Sequence, residues 1–205
     1  MKQLIEIKKK LASDWFKFLQ SKIIDEFQLL ENEINKKNKT KAKYFIKKEW
    51  KKNNKKEGGG ISYLLSGGKI FDKIGVNQST VSGQFEKAFR SKILGAKKNG
   101  RYWATGISIV AHMKNPKIPA FHFNTRFIVT SREWFGGGMD ATPSFNDKNE
   151  KILIHQKLKN VCKLNNKNYN MYKKWCDTYF YLPHRKEPRG IGGIFFDYET
   201  KDWEK

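Results

Sequence analysis

The residues best suited to chemistry lie on one predicted strand, the segment AFHFNTRFIVT at residues 120–130. Side chains alternate between the two faces of a strand, so His122, Asn124 and Arg126 share one face. The phenylalanines of the segment occupy the other face and are expected to enter the core. Because arginine offers carboxylates a fixed, bidentate fork, this polar row indicates a sheet surface that binds a ligand or faces water.

A second polar row precedes this strand. The segment WATGISIVAH at residues 103–112 alternates as a strand, and Ser108 and His112 fall on one face. The turn MKNPKIP, with two prolines, connects the two segments. If the strands pair, one patch gathers Ser108, His112, His122, Asn124 and Arg126. The alternative is that these side chains only face solvent, as on many one-sided antiparallel sheets.

Arginine is scarce, with only six arginines among the 42 basic residues. Arg185 and Arg189 flank a proline and precede a glycine-rich run, and with Arg126 they can clamp several carboxylates. Asp140 follows the glycines at 136–138 and is predicted in a loop at a strand end. A turn-forming or helix-capping role is the alternative for Asp140.

Four histidines could bind a metal: His112, His122, His155 and His184. None belongs to an HxxxH or HExxH motif, so a metal site requires residues distant in sequence. His155 lies on a helical face and is more typical of a packed histidine, whereas the loop position of His184 favours a functional role. Cys162 and Cys176 show no setting typical of a nucleophile.

The net charge of +22 and the pI of 9.9 permit a polyanionic partner. Most of this charge is lysine spread along the chain, often beside asparagine, which favours solvated positions over a nucleic-acid surface. A basic nucleic-acid-binding protein therefore remains only a third hypothesis, and no recognition motif supports it.

The bulk composition predicts a single domain in a cytoplasmic protein. The chain of 205 residues can bury a core, and no apolar run is long enough for a membrane span. No secretory signal is recognisable at the N-terminus. The two cysteines form no CxxC pair, which suits a reducing compartment.

Helical periodicity predicts an amphipathic helix at residues 3–34 that packs on the domain. Its apolar residues at roughly helical spacing are Leu4, Ile7, Leu11, Trp15, Phe18, Ile23, Phe27 and Leu30. Further helices are predicted at residues 86–95, 148–164 and 168–181.

The remaining segments predict an antiparallel meander. Besides the two polar strands, short strands are expected in KYFIKKEW, ISYLL, SREWFGGG and GIGGIFFDY. The segment FDKIGVNQSTVSGQF is predicted to be a turn-rich connection.

Several motifs together resemble one family. The segment KKWCDTYFYLPHRKEPRGIGGIFFDY at residues 173–198 is similar to the signature of oxygen-dependent coproporphyrinogen III oxidases. Three further blocks agree in order: GGGISYLLSGGKIFDKIGVNQSTVSG, ATGISIVAHMKNPKIPAFHFNTRF and REWFGGGMDATP. The resemblance covers about residues 40–198 and implies an α+β fold, a large antiparallel sheet flanked by helices on both faces. It also implies that residues 1–205 form one domain.

The resemblance implies oxidative decarboxylation of the ring A and B propionates of coproporphyrinogen III, giving protoporphyrinogen IX with O2 as co-substrate. It makes His122 the proton donor, and it gives Asp140 the role of holding or deprotonating the pyrrole N–H groups. The implied substrate-binding residues are Ser108, Asn124, Thr125, Arg126, Arg185 and Arg189. No organic cofactor is implied, but a divalent cation is, with His112, His122, His155 and His184 as its ligands.

The chain stops at Lys205, whereas members of the family continue. The last third of the family fold is therefore expected to be absent, and the homodimer of the full-length family is expected to be weakened or lost. An inactive, shortened homologue or a porphyrin-binding remnant is the second hypothesis.

Overall fold

The computed structural model describes residues 2–145, 147–200 and 203, so the predicted domain of residues 1–205 includes a few positions outside the described residues. Its helices are α1 (Lys2–Lys37), α2 (Lys87–Arg90), α3 (Lys148–Leu164) and α4 (Tyr169–Tyr179). Its strands are β1 (Ile46–Lys51), β2 (Gly58–Ser66), β3 (Phe71–Gln84), β4 (Arg101–Met113), β5 (Ala120–Val129), β6 (Glu133–Thr142), β7 (Tyr181–Leu182), β8 (Glu187–Pro188) and β9 (Gly192–Glu199).

Seven strands form one antiparallel sheet in the order β1-β2-β3-β4-β5-β6-β9, and β7 pairs with β8 in a separate hairpin. The predicted α+β class and the predicted pairing of β4 with β5 are confirmed. Three local predictions were wrong. The helix expected at residues 86–95 is confined to the single turn α2. The segment expected to be turn-rich is the long strand β3, and β6 continues through its glycines to Thr142, so Asp140 lies inside a strand.

The predicted N-terminal helix is confirmed, but its packed stripe differs from the predicted one. Ala12 and Phe16 are buried against the sheet, where they meet core residues such as Ile74. Most of the predicted stripe, including Leu11 and Trp15, is exposed. The helix carries apolar residues on two stripes, and helical periodicity alone does not say which one the sheet covers.

A buried carboxylate ties the end of α1 to the turn between β2 and β3. The Glu31 side chain is fully buried and accepts backbone N–H bonds from Lys69, Ile70 and Phe71 at 2.8–2.9 Å. Asn35 donates to the same carboxylate. A buried charge is tolerated when hydrogen bonds satisfy it, so this contact orients α1 on the sheet.

Helices α3 and α4 lie at the other end of the sheet, beside β9. Each is preceded by a residue whose side chain caps the helix, Asp147 for α3 and Asn168 for α4. The ring of Tyr179 stacks on Phe195 of β9, with 4.2 Å between ring centroids. Phe195 is paired with Gly138 of β6, and Gly138 is paired with Asn124 of β5, so the three residues share one face of the sheet. Helix α4 therefore packs on the face that α1 leaves free.

Candidate active site

The face of the sheet opposite α1 carries a straight row of small polar side chains. In each antiparallel pair the residues directly opposite share a face, so the register aligns one residue from each of four strands. The aligned residues, which define the polar face, are Ser62, Asn77, Ser108 and Asn124. This row confirms that Ser108 and Asn124 lie side by side.

A second aligned row alternates residues that carry a side chain with glycine. It contains Trp50, Gly60, Ser79, Gly106, Arg126 and Gly136, one from each of β1 to β6. A side chain at Gly60 would overlap the Gln78 carbonyl oxygen, and one at Gly136 would overlap the Asp197 carboxylate. Gly60 and Gly106, which lie between Trp50 and Arg126 in this row, add no side chain to the floor there.

The two rows line a concave pocket of about 450 Å³. Its wall includes Ser62, Asn77, Ser108, Asn124 and Arg126, with Trp50 as its aromatic side. Most of the residues on the wall are uncharged, so the guanidinium group is the cation available to an anionic ligand there.

A third row ends in the most buried ion pair of this face. Val110, His122 and Asp140 are aligned on β4, β5 and β6. The Asp140 side chain is only 3% exposed, and Arg189 donates two bonds to it, Nε to Oδ2 at 2.8 Å and a terminal NH2 to Oδ1 at 2.7 Å. The guanidinium carbon lies 3.9 Å from the centre of the Phe180 ring. Such a two-bond pair, stacked on an aromatic ring, fixes both groups in space.

His122 completes this cluster. Its Nδ1 lies 3.6 Å from Oδ1 of Asp140 and, although buried, has no hydrogen-bond partner among the described residues. Burial lowers the pKa of His122, the Asp140 carboxylate opposes this, and the neighbouring Arg189 and His112 lower the pKa further. The net effect favours a neutral imidazole with a free ring nitrogen, which is able to take up a proton.

Arg126 is held by a different carboxylate. It donates to Oδ2 of Asp197 at 2.8 Å and to Oδ1 of Asn124 at 3.1 Å. Trp134 donates its indole N–H to the other oxygen of Asp197 at 2.9 Å. The Tyr198 backbone N–H donates to the same oxygen at 3.1 Å. Because these two donors orient Asp197, it fixes the direction in which Arg126 presents its remaining N–H groups.

The structure brings together most, but not all, of the site residues that the sequence indicated. Arg185 and His184 lie in the exposed β7–β8 hairpin, where Arg185 pairs with Glu187. Thr125 borders the pocket, although strand alternation puts its side chain on the face of Phe123 and Phe127.

The histidines do not fit a shared cation site. His155 is buried on α3, its Nε2 lies 2.9 Å from the Ile191 carbonyl oxygen and its Nδ1 lies 2.7 Å from the Tyr169 hydroxyl. Both ring nitrogens are therefore already in use. Among the described residues, no group of three or more His, Cys, Asp or Glu side chains is arranged to hold a metal ion.

Sequence inspection missed Trp50, Asn77, Ser79 and Asp197. The alternation that placed His122 was also available in β3, where Gly75, Asn77 and Ser79 share the polar face. Nothing local in the sequence joins Asp197 to Arg126, because their pairing depends on β9 adding to the edge of β6.

No helix in the described part of the chain combines the length and hydropathy that a membrane crossing requires.

Comparison with known proteins agrees with this geometry. A model of the family described as coproporphyrinogen III oxidase matches residues 12–205. Proteins named oxygen-dependent coproporphyrinogen-III oxidase, from Rickettsia rickettsii (strain Sheila Smith) and Rickettsia akari (strain Hartford), are 48% and 49% identical over 191 residues. Each match covers 93% of this chain and 67% of the relative. The family match favours the enzyme interpretation over nucleic-acid binding, and the chain belongs to the coproporphyrinogen III oxidase family.

Proposed function

We propose that this chain oxidatively decarboxylates coproporphyrinogen III to protoporphyrinogen IX, turning the ring A and B propionates into vinyl groups with O2 as the oxidant. One observation carries the proposal: the buried Asp140, clamped by Arg189 and close to His122, lies on the same face as the pocket of Arg126 in a chain of this family.

The charges on this face suit a tetrapyrrole that bears carboxylates. A guanidinium group has five N–H donors, and Arg126 uses only some of them on Asp197 and Asn124. The others are free to bind a propionate. Ser108 and Asn124, with Ser62 and Asn77 beside them, add uncharged hydrogen-bonding groups along the same wall.

Asp140 is suited to meet the pyrrole N–H groups. An ionised carboxylate accepts about four hydrogen bonds, and Arg189 supplies two of them. The remaining acceptor positions can hold pyrrole N–H groups, and the two bonds from Arg189 keep the carboxylate oriented while it does so. Holding an N–H on an anion pushes electron density into the pyrrole, which favours attack by O2.

The chemistry balances with O2 as the only oxidant. For each side chain, R–CH2–CH2–COOH and O2 give R–CH=CH2, CO2 and H2O2. The protein has to orient the propionate, bind the ring N–H and accept and return a proton. His122 can do the last of these: because its neutral form is favoured, its unprotonated ring nitrogen can accept a proton and return it later.

The proposal includes no organic cofactor and no step that depends on a cation, since the histidines do not fit a shared site. We further propose a cytoplasmic location, supported by two cysteines that are both free and buried. The single-domain organisation and the weakening or loss of the family's homodimer also remain predictions. Arg185 and Thr125 remain proposed substrate-binding residues with weaker geometric support than Arg126.

The test is aerobic turnover of coproporphyrinogen III by the purified chain, measured as protoporphyrin fluorescence after oxidation. His122→Ala is expected to abolish product, whereas His184→Ala, on the exposed hairpin, serves as a matched histidine control and should retain it. A folded wild-type chain that forms no product would contradict the proposal that this chain is active by itself.

A further inference from the structure

His155 lies outside the pocket, on α3, yet its contacts lead directly to the ion pair in the active site. Its Nε2 faces the Ile191 carbonyl oxygen at 2.9 Å, and a carbonyl can only accept, so Nε2 carries the hydrogen. Burial lowers the pKa of His155 and so favours the neutral ring, in which Nδ1 accepts from the Tyr169 hydroxyl at 2.7 Å. These two bonds define one neutral tautomer, with no nitrogen lone pair left for a cation.

The segment that His155 holds is the tight turn that presents Arg189. Gly190 and Gly192 both have positive φ, at 56° and 75°. Glycine in this region is easily accommodated but has many alternative conformations, so the turn needs external contacts to keep one shape. The Ile191 peptide supplies them: its N–H donates to the Ala141 carbonyl oxygen of β6 at 3.0 Å, and its carbonyl accepts from His155.

Two helices thus fix Arg189 from different sides. Helix α4 begins at Tyr169, which orients the His155 ring, and it is followed by Phe180, on which the Arg189 guanidinium stacks. The arginine in turn makes its two bonds to Asp140. Displacement of the Ile191 peptide would move the arginine relative to the carboxylate that it orients.

We infer that His155 is a positioning residue, not a metal ligand: it locks the Arg189–Gly192 turn and thereby holds Arg189 on Asp140. The expected effect on turnover rests on the proposed function. The structural part of the inference, that His155 holds the turn, rests only on the contacts described above. Glutamine can replace both bonds, since its amide N–H can donate to Ile191 while its oxygen accepts from Tyr169.

The experiment is 15N NMR of the side chains in the labelled chain, combined with turnover. In the wild type, the His155 ring should be protonated at Nε2 alone, and its nitrogen shifts should not move when Zn²⁺ is added. The exposed His184 serves as the reference histidine. The Nε–H resonance of Arg189 should be retained in His155→Gln and lost or broadened in His155→Ala.

Turnover supplies the second measurement. His155→Gln is expected to keep kcat within about threefold, whereas misplacement of a catalytic group by about 1 Å lowers rates about 10²-fold, the loss expected in kcat for His155→Ala. Tyr169→Phe should fall between the two, with Tyr181→Phe as its exposed control, and both tyrosine variants keep the test valid should His155→Ala fail to fold.

Three outcomes would overturn the inference: Zn²⁺ shifting the His155 nitrogens, an unchanged Arg189 resonance in folded His155→Ala, or His155→Gln behaving like His155→Ala. Failure of the proposed function gives a different pattern, in which the wild type makes no product while the NMR results still report on the turn.

Discussion

Arg189 and Arg185 are only four residues apart in one motif, yet the structure gives them opposite surroundings. Arg189 makes two bonds to a carboxylate that is 3% exposed, and it stacks on Phe180. Arg185 makes an ion pair with Glu187, which is 49% exposed and lies on the same hairpin. We therefore expect the burial of the partner, more than the motif that contains the arginine, to decide how firmly an arginine is held.

Arg126 lies between these extremes. Its partner Asp197 is 18% exposed and also accepts from Trp134. If burial of the partner sets the strength of each pair, removal of the three arginines should rank Arg189 first, Arg126 second and Arg185 last, both in stability and in turnover.

The largest effect is expected for Arg189→Ala. It leaves the buried Asp140 carboxylate without its cation, and breaking a buried pair from one side costs about 3–5 kcal/mol. The measurement is the free energy of unfolding in urea, and turnover should also be lost. Asp140→Asn/Arg189→Ala is the control, since it removes the stranded charge and should recover part of the stability. Equal costs for Arg189→Ala and Arg185→Ala would contradict the comparison.

A smaller cost is expected for Arg126→Ala. Asp197 keeps the Trp134 indole N–H and reaches some water, so the cost is about 1–3 kcal/mol, the range for a partly unsatisfied buried group. Asp197→Asn tests function more directly, because it preserves the shape of the side chain but weakens its ion pair with Arg126. We expect it to raise KM more than it lowers kcat, measured by initial rates across substrate concentrations. A change confined to kcat would assign Asp197 a different role.

The sequence predicted the features that depend on neighbouring residues better than those that depend on residues far apart in the chain. Alternation along β5 was local, and it correctly put His122, Asn124 and Arg126 on one face. The α3 helix was predicted at its observed bounds. Strand β3 was missed because its polar face is made of Gly, Asn and Ser, the residues that also make turns.

The carboxylate partners of the arginines could not be predicted from the sequence, and the reason is physical. Asp140 meets Arg189 only because β9 joins the edge of β6, and Asp197 meets Arg126 by the same pairing. Such contacts depend on register between strands far apart in sequence, which periodicity within one segment does not define. The same applies to α1, whose two apolar stripes become distinguishable only against the sheet.

A weaker, pH-dependent effect is expected from the two histidines on the Arg189 side, His155 and His122. Burial lowers the pKa of His155 and of His122, so the unfolded chain binds more protons than the folded chain just below the ordinary histidine pKa of about 6.5. Stability should therefore be full above that pH and decline as the pH falls through it. Urea midpoints between pH 7.5 and 5 measure this, and His155→Gln, which cannot titrate, should show a shallower decline. An identical decline in that variant would argue against the buried neutral His155.

The smallest effect is expected for Arg185→Ala. Its pair with Glu187 is exposed, and exposed ion pairs contribute about 0–1 kcal/mol because water and salt screen them. Urea unfolding should hardly change, and Glu187→Ala should be equally mild. Turnover then separates two interpretations of Arg185. A variant with wild-type stability but a raised KM would support the proposed substrate-binding role through a hairpin that moves towards the substrate. A variant with unchanged kcat and KM would show that Arg185 does not contribute to turnover. Arg126 and Arg189, whose partners are buried by the sheet, would then be the arginines that act in this site.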